Sequence, residues 1–170
     1  IAVGLRTPIV EAENIKIKYG CSLSSLVGED EYITIATASG KDTREVSLKS
    51  LCQVIEPRMQ EIFTLVRREL DRVGPRDVTP AGLVITGGAS LLKGTDILAS
   101  EILKLPVRLG EPDLLNGLSD VIDNPVYIKK DGKVPKAIFS TAVGLVEYGA
   151  RYYKHSTDKN KDVVGDFFNK

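Results

Sequence analysis

Two glycines that follow a short apolar run are the sharpest chemical feature of the sequence. Gly87 and Gly88 come directly after Leu83–Thr86, and without side chains they let a ligand approach the backbone closely. A nucleotide can be held against such a turn. The pair could equally make only a tight turn between a strand and a helix. A lone glycine pair is a weak motif and does not by itself indicate a ligand. The residues alone leave both interpretations open.

A second candidate is the Glu-x-x-Lys spacing of Glu13 and Lys16. Side chains three residues apart are neighbours on a helix surface, so the two could hold a polar ligand such as a ribose between them. They could equally form an exposed ion pair that contributes a few tenths of a kcal/mol. The spacing by itself does not decide between these roles.

Basic residues cluster along one part of the sequence. Arg44, Lys49 and Arg58 lie around a predicted β-hairpin and the following Pro57. Together they could form a basic rim for a peptide that carries carboxylates. The alternative is solvated surface charge, which is abundant throughout the chain.

Residue sets for nucleophilic or metal-dependent catalysis are missing from the sequence. The chain has one histidine, His155, and two cysteines, Cys21 and Cys52. They form neither a metal-ligand spacing nor a Ser/His/Asp or Cys/His set, and there is no Walker lysine loop. We expect reduced, packed thiols, no catalytic residue and no metal, so an enzymatic activity would need residues outside this chain.

Composition excludes several classes of protein. The 170 residues are 42% hydrophobic and carry 23 basic and 23 acidic side chains, which favours a compact fold and gives no basic excess for nucleic acid. No apolar run approaches the ~20 residues of a membrane-spanning helix, and the start lacks the pattern of a secretory signal. Because the chain begins at Ile1 rather than Met, we expect it to be a fragment.

Hydrophobic periodicity and breaker residues predict the elements of the first half. Thr7–Pro8 is typical of a helix start, with Thr7 as the cap, and Gly20 is expected to end that helix in the left-handed conformation. Pro57 is expected to interrupt the later helical stretch with a kink or a restart. The predicted elements are a helix over 8–19, strands over 31–37 and about 44–48, a short helix over 50–55 and a long amphipathic helix from 59 to 73.

The pattern of the second half predicts a βαβ unit followed by a loop and a helix. Gly144 and Gly149 in the last helix would allow close packing against a neighbour. The predicted elements are a buried strand over 83–86, a helix that reaches 103, a strand over 106–109, a loop over 111–135 and a helix over 136–153.

Four segments, in this order and spacing, resemble the FtsA family of bacterial actin-like cell-division proteins. The resemblance extends to about Tyr153. The segments are Ala12-Glu13-Asn14-Ile15-Lys16 with Tyr19-Gly20-Cys21, then Val54-Ile55-Glu56-Pro57-Arg58, then Val84-Ile85-Thr86-Gly87-Gly88-Ala89, and finally Ser140-Thr141-Ala142-Val143-Gly144-Leu145 with Tyr148-Gly149.

This resemblance implies an α/β fold, namely subdomain 2A of an actin-like (ribonuclease H-like) ATPase with an inserted α+β subdomain 2B. Residues 1–20 and 79–154 would form subdomain 2A, residues 21–78 subdomain 2B, and residues 155–170 a linker with the start of a possible amphipathic tail. Subdomains 1A and 1C and the loops that hold the phosphates and Mg²⁺ would precede Ile1.

The resemblance also implies the ligands. Glu13 and Lys16 would face the adenosine of ATP, with Gly87, Gly88 and Ala89 beside it, while Mg²⁺ would bind outside this chain. The full-length protein would be at most a weak ATPase, and the fragment alone would be inactive.

The partners that the resemblance implies are the C-terminal peptide of FtsZ, further copies in a filament, other divisome proteins and the cytoplasmic membrane surface at the division site. The FtsZ peptide would dock on subdomain 2B, which makes Arg44, Lys49 and Arg58 candidates. Val163, Val164, Phe167 and Phe168 gather on one helical face and look like the beginning of a membrane anchor. The segment could equally be an unstructured end, because a helix of barely two turns is marginal in water.

Three other protein classes remain as alternatives. Pilus-assembly proteins resembling PilM and chaperones of the DnaK type share the actin-like fold, although a chaperone would need a peptide-binding β-sandwich after residue 153. A sugar kinase shares the fold as well, but it would need a catalytic acid for which these residues give no support.

Overall fold

A computed structural model of the chain describes residues 1–74, 81–112 and 135–156. The chain divides into a first unit, Ile1–Ile85 with Ala89–Leu109, and a second unit, Thr86–Gly88 with Gly110–Lys170. In chain order the helices and strands are α1 (Ile9–Tyr19), β1 (Tyr32–Ala36), β2 (Thr43–Ser47), α2 (Leu48–Val73), β3 (Leu83–Ile85), α3 (Thr95–Leu103), β4 (Val107–Leu109) and α4 (Ser140–Ser156). This mixture confirms the predicted α/β class.

Strands β1 and β2 form the predicted antiparallel hairpin. Ile33 pairs with Val46 and Ile35 pairs with Arg44, so the apolar members of both strands share one face. That face is buried, with Ile35 only 1% exposed. The period-two pattern of the sequence therefore gives the strand type and the buried face correctly.

The predicted restart of the helix at Pro57 is wrong, because α2 runs without interruption from Leu48 to Val73. Ser47 caps its start by accepting the Ser50 N–H at 3.2 Å. Pro57 removes the hydrogen bond to the Gln53 carbonyl, but both residues lie on the exposed side, where water can bind that carbonyl. On the opposite side Ile55 and Met59 are both buried, and their packing stabilises the helix across Pro57.

The bounds of α1 agree with the prediction within one residue. The predicted roles of Thr7 as a cap and Gly20 as a left-handed end are wrong. Thr7 does not cap the helix; its hydroxyl donates to the Ala36 carbonyl at 2.7 Å and ties the helix start to β1. Gly20 is extended, with φ −60° and ψ 135°, rather than left-handed. Glycine is needed there for space, because an added Cβ would collide with the Lys16 carbonyl and lie 2.6 Å from Leu92 Cδ2.

Strands β3 and β4 are parallel, with Leu83 beside Val107 and Ile85 beside Leu109. Helix α3 connects them, which confirms the predicted strand, helix and strand order. Gly82 precedes β3 with φ +76°, and an added Cβ would collide with the Pro106 carbonyl. A residue other than glycine would therefore push the two strands apart at their start.

The core of the first unit gathers side chains from the hairpin and from α1, α2 and α3. Helix α2 supplies a stripe at four-residue spacing, as its periodicity predicts. The buried members of this core are Leu5, Ile15, Leu23, Ile33, Ile35, Val46, Leu51, Ile55, Met59, Phe63, Leu98, Ala99 and Leu103.

Both cysteines are buried and free, as the sequence predicts. Burial raises the pKa of the Cys52 thiol to about 12, and the neighbouring Cys21 adds to the increase. The Cys52 thiol is therefore protonated at neutral pH, and it packs as an apolar group rather than reacting as a nucleophile.

In the second unit a 3₁₀ turn, Lys136–Phe139, leads directly into α4. Together they match the helix predicted from residue 136. Ala137 and Val143 are buried. Among the described residues nothing lies within 4 Å of a Cβ added at Gly144 or Gly149, so the close packing expected at these glycines is not seen there. The predicted loop over 111–135 falls almost entirely outside the described ranges.

Candidate functional site

Glu13 and Lys16 form an ion pair on the exposed side of α1. Lys16 Nζ lies 2.6 Å from Glu13 Oε2, and the Lys16 and Glu13 side chains are 35% and 56% exposed, respectively. Ala12 and Ile15 point into the core, so the helical period turns their neighbours Glu13 and Lys16 toward solvent. At this exposure the pair stabilises the fold by at most ~1 kcal/mol, and its polar atoms are accessible to a ligand.

The end of α1 packs against the segment that begins at Ala89. The Cβ of a residue at position 20 would touch Leu92, and the Leu92 N–H donates to the Ala89 carbonyl at 3.3 Å. Cys21 forms a parallel bridge with Lys93 next to this contact. Within the first unit, the helix that carries Glu13 and Lys16 is therefore fixed against the segment that carries Ala89.

We expect Gly20→Ala to weaken this contact strongly. The new Cβ would overlap the Lys16 carbonyl and the Leu92 side chain, and overpacking of this kind destabilises a fold by about 1 to 3 kcal/mol. Thermal unfolding followed by circular dichroism should show a clearly lower melting temperature. Gly144→Ala is the matched control, because its Cβ has open space and alanine favours a helix by up to about 1 kcal/mol over glycine. Equal melting temperatures for Gly20→Ala and the parent would contradict the close contact.

Gly87 and Gly88 form the turn that follows β3. Gly87 has φ +90°, a conformation that favours glycine, and its N–H donates to the Ala137 carbonyl at 3.0 Å. A Cβ added at Gly88 would meet its nearest neighbour, Ile138 Cγ2, at 3.9 Å. Gly88 is also exposed, so its backbone is open to a flat ligand.

The predicted nucleotide residues fall in two groups. Glu13, Lys16 and Ala89 belong to the first unit, whereas Gly87 and Gly88 belong to the second. Within the first unit the structure brings the two charged side chains together and ties their helix to the Ala89 segment. Within the second unit it presents an open glycine backbone.

Each of the three basic candidates has a partner. Arg44 Nη2 donates to the Leu5 carbonyl at 2.6 Å, Lys49 pairs with Glu29, and Arg58 Nη1 lies 2.5 Å from Glu61 Oε2. The Arg58 side chain is 67% exposed, so the ion pair leaves much of it accessible.

These three residues do not form one rim. Lys49 and Arg58 are nine residues apart in α2, which is about two and a half helical turns, so they lie on opposite flanks. Arg58 lies one turn after Val54, against which the Gly4 backbone packs. Arg44 binds the adjacent Leu5 carbonyl. The contacts thus connect Arg44 to the backbone next to Gly4, and Lys49 lies on the flank of α2 opposite Arg58.

Sequence reasoning missed Glu56 as an organising residue. Its carboxylate accepts the Ser24 N–H at 2.9 Å and a hydrogen bond from Gln60 at 3.2 Å. Glu56 thereby holds the 3₁₀ turn Ser24–Leu26 against α2. Ser24 lies 32 residues away in sequence, so no local spacing could have indicated the contact.

The structure describes neither the side chain of His155 nor the predicted membrane-facing residues, which are Val163, Val164, Phe167 and Phe168. Among the helices it does describe, none is both long enough and apolar enough to cross a bilayer. In the same residues no three potential metal ligands come together.

Comparison with known proteins identifies relatives over nearly the whole chain. The family profile of the "Cell division protein FtsA" matches residues 1–144. The chain is 44% identical to the cell division protein FtsA of Pseudomonas aeruginosa over 168 residues, which is 99% of this chain and 37% of that protein. It is 36% identical to the Escherichia coli K12 protein over 88% of this chain and 34% of that protein. The chain thus spans about a third of the length of these relatives.

A solved structure identifies the fold. The crystal structure of MreB5 of Spiroplasma citri bound to ADP matches with a TM-score of 0.57 at 16% identity over 88% of this chain and 40% of that one. At this identity the match concerns the fold, which is actin-like. The family profile and the 44% identical relative show that the chain belongs to the FtsA family of cell division proteins.

Proposed function

We propose that the full-length protein containing this chain binds ATP with Mg²⁺, polymerises, and tethers the FtsZ ring to the cytoplasmic membrane at the division site. Membership of the FtsA family supports a role in cell division. In this proposal α1 and residues 79–154 belong to subdomain 2A, and the β1–β2 hairpin with α2 belongs to subdomain 2B. Other divisome proteins are further expected partners.

The observation that carries the nucleotide part is the open backbone at Gly88. An added Cβ there would meet no atom closer than 3.9 Å, so crowding at the Cβ position in the described structure does not explain the glycine. The ADP bound to MreB5, which shares the actin-like fold, supports a nucleotide ligand. Glu13 and Lys16 would face the adenosine, and Gly87, Gly88 and Ala89 would lie beside it. Catalysis and the contacts to phosphate and Mg²⁺ are assigned to residues outside this chain.

The proposed docking surface for the FtsZ tail is the flank of α2 that carries Arg58. Arg44, which donates to the Leu5 carbonyl, is the second candidate, and an exposed guanidinium suits a peptide that carries carboxylates. Lys49, on the other flank, becomes the weaker candidate. Val163, Val164, Phe167 and Phe168 remain the proposed start of the membrane anchor.

Sedimentation of the full-length protein with and without Mg-ATP tests this proposal. Polymerisation that depends on nucleotide should move the protein into the pellet when ATP is present, because the filament would form from the nucleotide-bound state. A protein that stays in the supernatant under both conditions, over a range of concentrations, would contradict nucleotide-dependent assembly.

A further inference from the structure

Two hydroxyl groups meet directly beside the glycine turn. Thr86 Oγ1 lies 2.6 Å from Ser140 Oγ, although the residues are 54 positions apart in sequence. Thr86 Oγ1 also lies 2.9 Å from the carbonyl oxygen of Gly110. Both residues belong to the second unit. The contact joins the residue before the turn to the first residue of α4.

The same contact reaches the turn itself through a shared carbonyl. Ser140 Oγ lies 3.0 Å from the carbonyl oxygen of Ala137, and the Gly87 N–H donates to that oxygen at 3.0 Å. Ala137 is completely buried, so the surrounding packing holds its carbonyl in place. When Ser140 donates to that carbonyl, the contacts close a ring through Thr86, Gly87, Ala137 and Ser140.

No described side chain packs against the Cβ position of Gly87. In the described structure a Cβ at Gly87 would have no neighbour within 4 Å. Glycine also has the largest backbone freedom of any residue, and that freedom must be lost when the turn is ordered. Hydrogen bonds on either side of the turn restrict that freedom.

The two hydroxyl groups depend on each other. They share two hydrogens among three close oxygen contacts, because each hydroxyl donates only once. Two arrangements keep a hydrogen between the hydroxyls: either Thr86 donates to Gly110 and Ser140 to Thr86, or Thr86 donates to Ser140 and Ser140 to Ala137. The second of them closes the ring. In both of them removal of either hydroxyl breaks the link between Thr86 and Ser140.

We propose that Thr86 and Ser140 are positioning residues that hold the Gly87–Gly88 turn in the shape that receives the nucleotide. The assignment rests on the proposed function of that turn. Neither hydroxyl needs to touch the ligand. They act on the turn indirectly, because the Ala137 carbonyl next to Ser140 accepts the Gly87 N–H and Thr86 directly precedes Gly87.

The first test measures the turn without nucleotide. Amide hydrogen exchange of Gly87 in the full-length protein should become several-fold faster in Ser140→Ala and in Thr86→Val, because the ring that fixes its acceptor is broken. Ser140→Thr and Thr86→Ser keep the hydroxyl and should restore slow exchange. Ser100→Ala is the matched control, because it removes a serine hydroxyl bound to the Leu105 carbonyl at 2.9 Å in the first unit. Unchanged exchange at Gly87 in both hydroxyl deletions would overturn the proposal.

The second test measures affinity for Mg-ATP by calorimetry on the same proteins. Each hydroxyl deletion should raise Kd about three- to tenfold, the loss expected for one net hydrogen bond. The double variant should be no weaker than the weaker single variant, because both deletions break the same ring. A parent protein that binds no Mg-ATP would overturn the proposed function, whereas a parent that binds it as tightly as both deletion variants do would overturn the positioning role alone.

Discussion

Gly88→Val is expected to abolish nucleotide binding while leaving the fold intact. The first atom of the new side chain would have its nearest neighbour at 3.9 Å, so the folded chain has room for it. The added methyl groups would occupy the space over the backbone that the nucleotide is proposed to use. We expect Kd for Mg-ATP to rise at least about a hundredfold, which corresponds to about 2.7 kcal/mol of binding free energy.

Calorimetric titration of the full-length parent and variant measures this effect, and thermal unfolding verifies that both proteins are folded. Gly149→Val is the matched control, because it places the same side chain at another open glycine on α4, away from the turn. It should bind Mg-ATP as the parent does. A Gly88→Val protein that keeps the parental Kd would show that the nucleotide does not lie on this turn.

The second large effect is expected from Arg58→Glu on binding of the FtsZ tail. Arg58 is 67% exposed and pairs with Glu61, which is itself exposed, so its guanidinium can turn to a carboxylate of a peptide. Loss of one charge-assisted hydrogen bond costs about 1.5 to 3 kcal/mol, or about ten- to a hundredfold in affinity. Fluorescence anisotropy with the labelled peptide measures it, and the loss should shrink at high salt.

Lys49→Glu is the control for the choice of flank. It makes the same reversal of charge on the opposite side of α2, beside Glu29, and should change the affinity for the peptide far less than Arg58→Glu. Both changes are on the surface and should alter stability by no more than ~0.5 kcal/mol. If Lys49→Glu weakened binding and Arg58→Glu did not, the docking surface would lie on the other flank.

Periodicity in the sequence predicted the elements well where one face of an element is buried. The four-residue stripe of α2 and the alternation in β1 follow from burial of apolar side chains against one core, and such patterns are visible in the residues themselves. The same logic placed Glu13 and Lys16 on a helix surface, where they form their ion pair. These features depend on neighbours that are close in sequence.

Contacts between distant segments could not be predicted in this way. Thr7 has the residue type of a helix cap, but the Ala36 carbonyl competes for its hydroxyl. Gly20 looks like a left-handed helix end, yet its role depends on Leu92. Pro57 should break a helix by local rules, and tertiary packing on the buried side of α2 overrides them. In each case the deciding partner lies far along the chain or on another element.

In the candidate site, too, contacts between distant residues could not be predicted from the sequence. The glycine pair is visible in the sequence, but the hydroxyl contact that frames it joins Thr86 to Ser140 across 54 positions. The basic residues are visible too, but only the continuous helix reveals that Lys49 and Arg58 face opposite ways. The residue types indicated which side chains could bind a nucleotide or a peptide, and the fold shows which of these residues lie close to one another.

The most direct test of nucleotide binding is a calorimetric titration of Mg-ATP into the full-length protein and into this 170-residue chain. The chain carries the proposed adenosine contacts, whereas the phosphate and Mg²⁺ contacts that bring much of the affinity are assigned outside it. We therefore predict micromolar binding by the full-length protein and weak or undetectable binding by the chain alone. Undetectable binding by the full-length protein, or equally tight binding by the chain alone, would contradict the proposed division of the site.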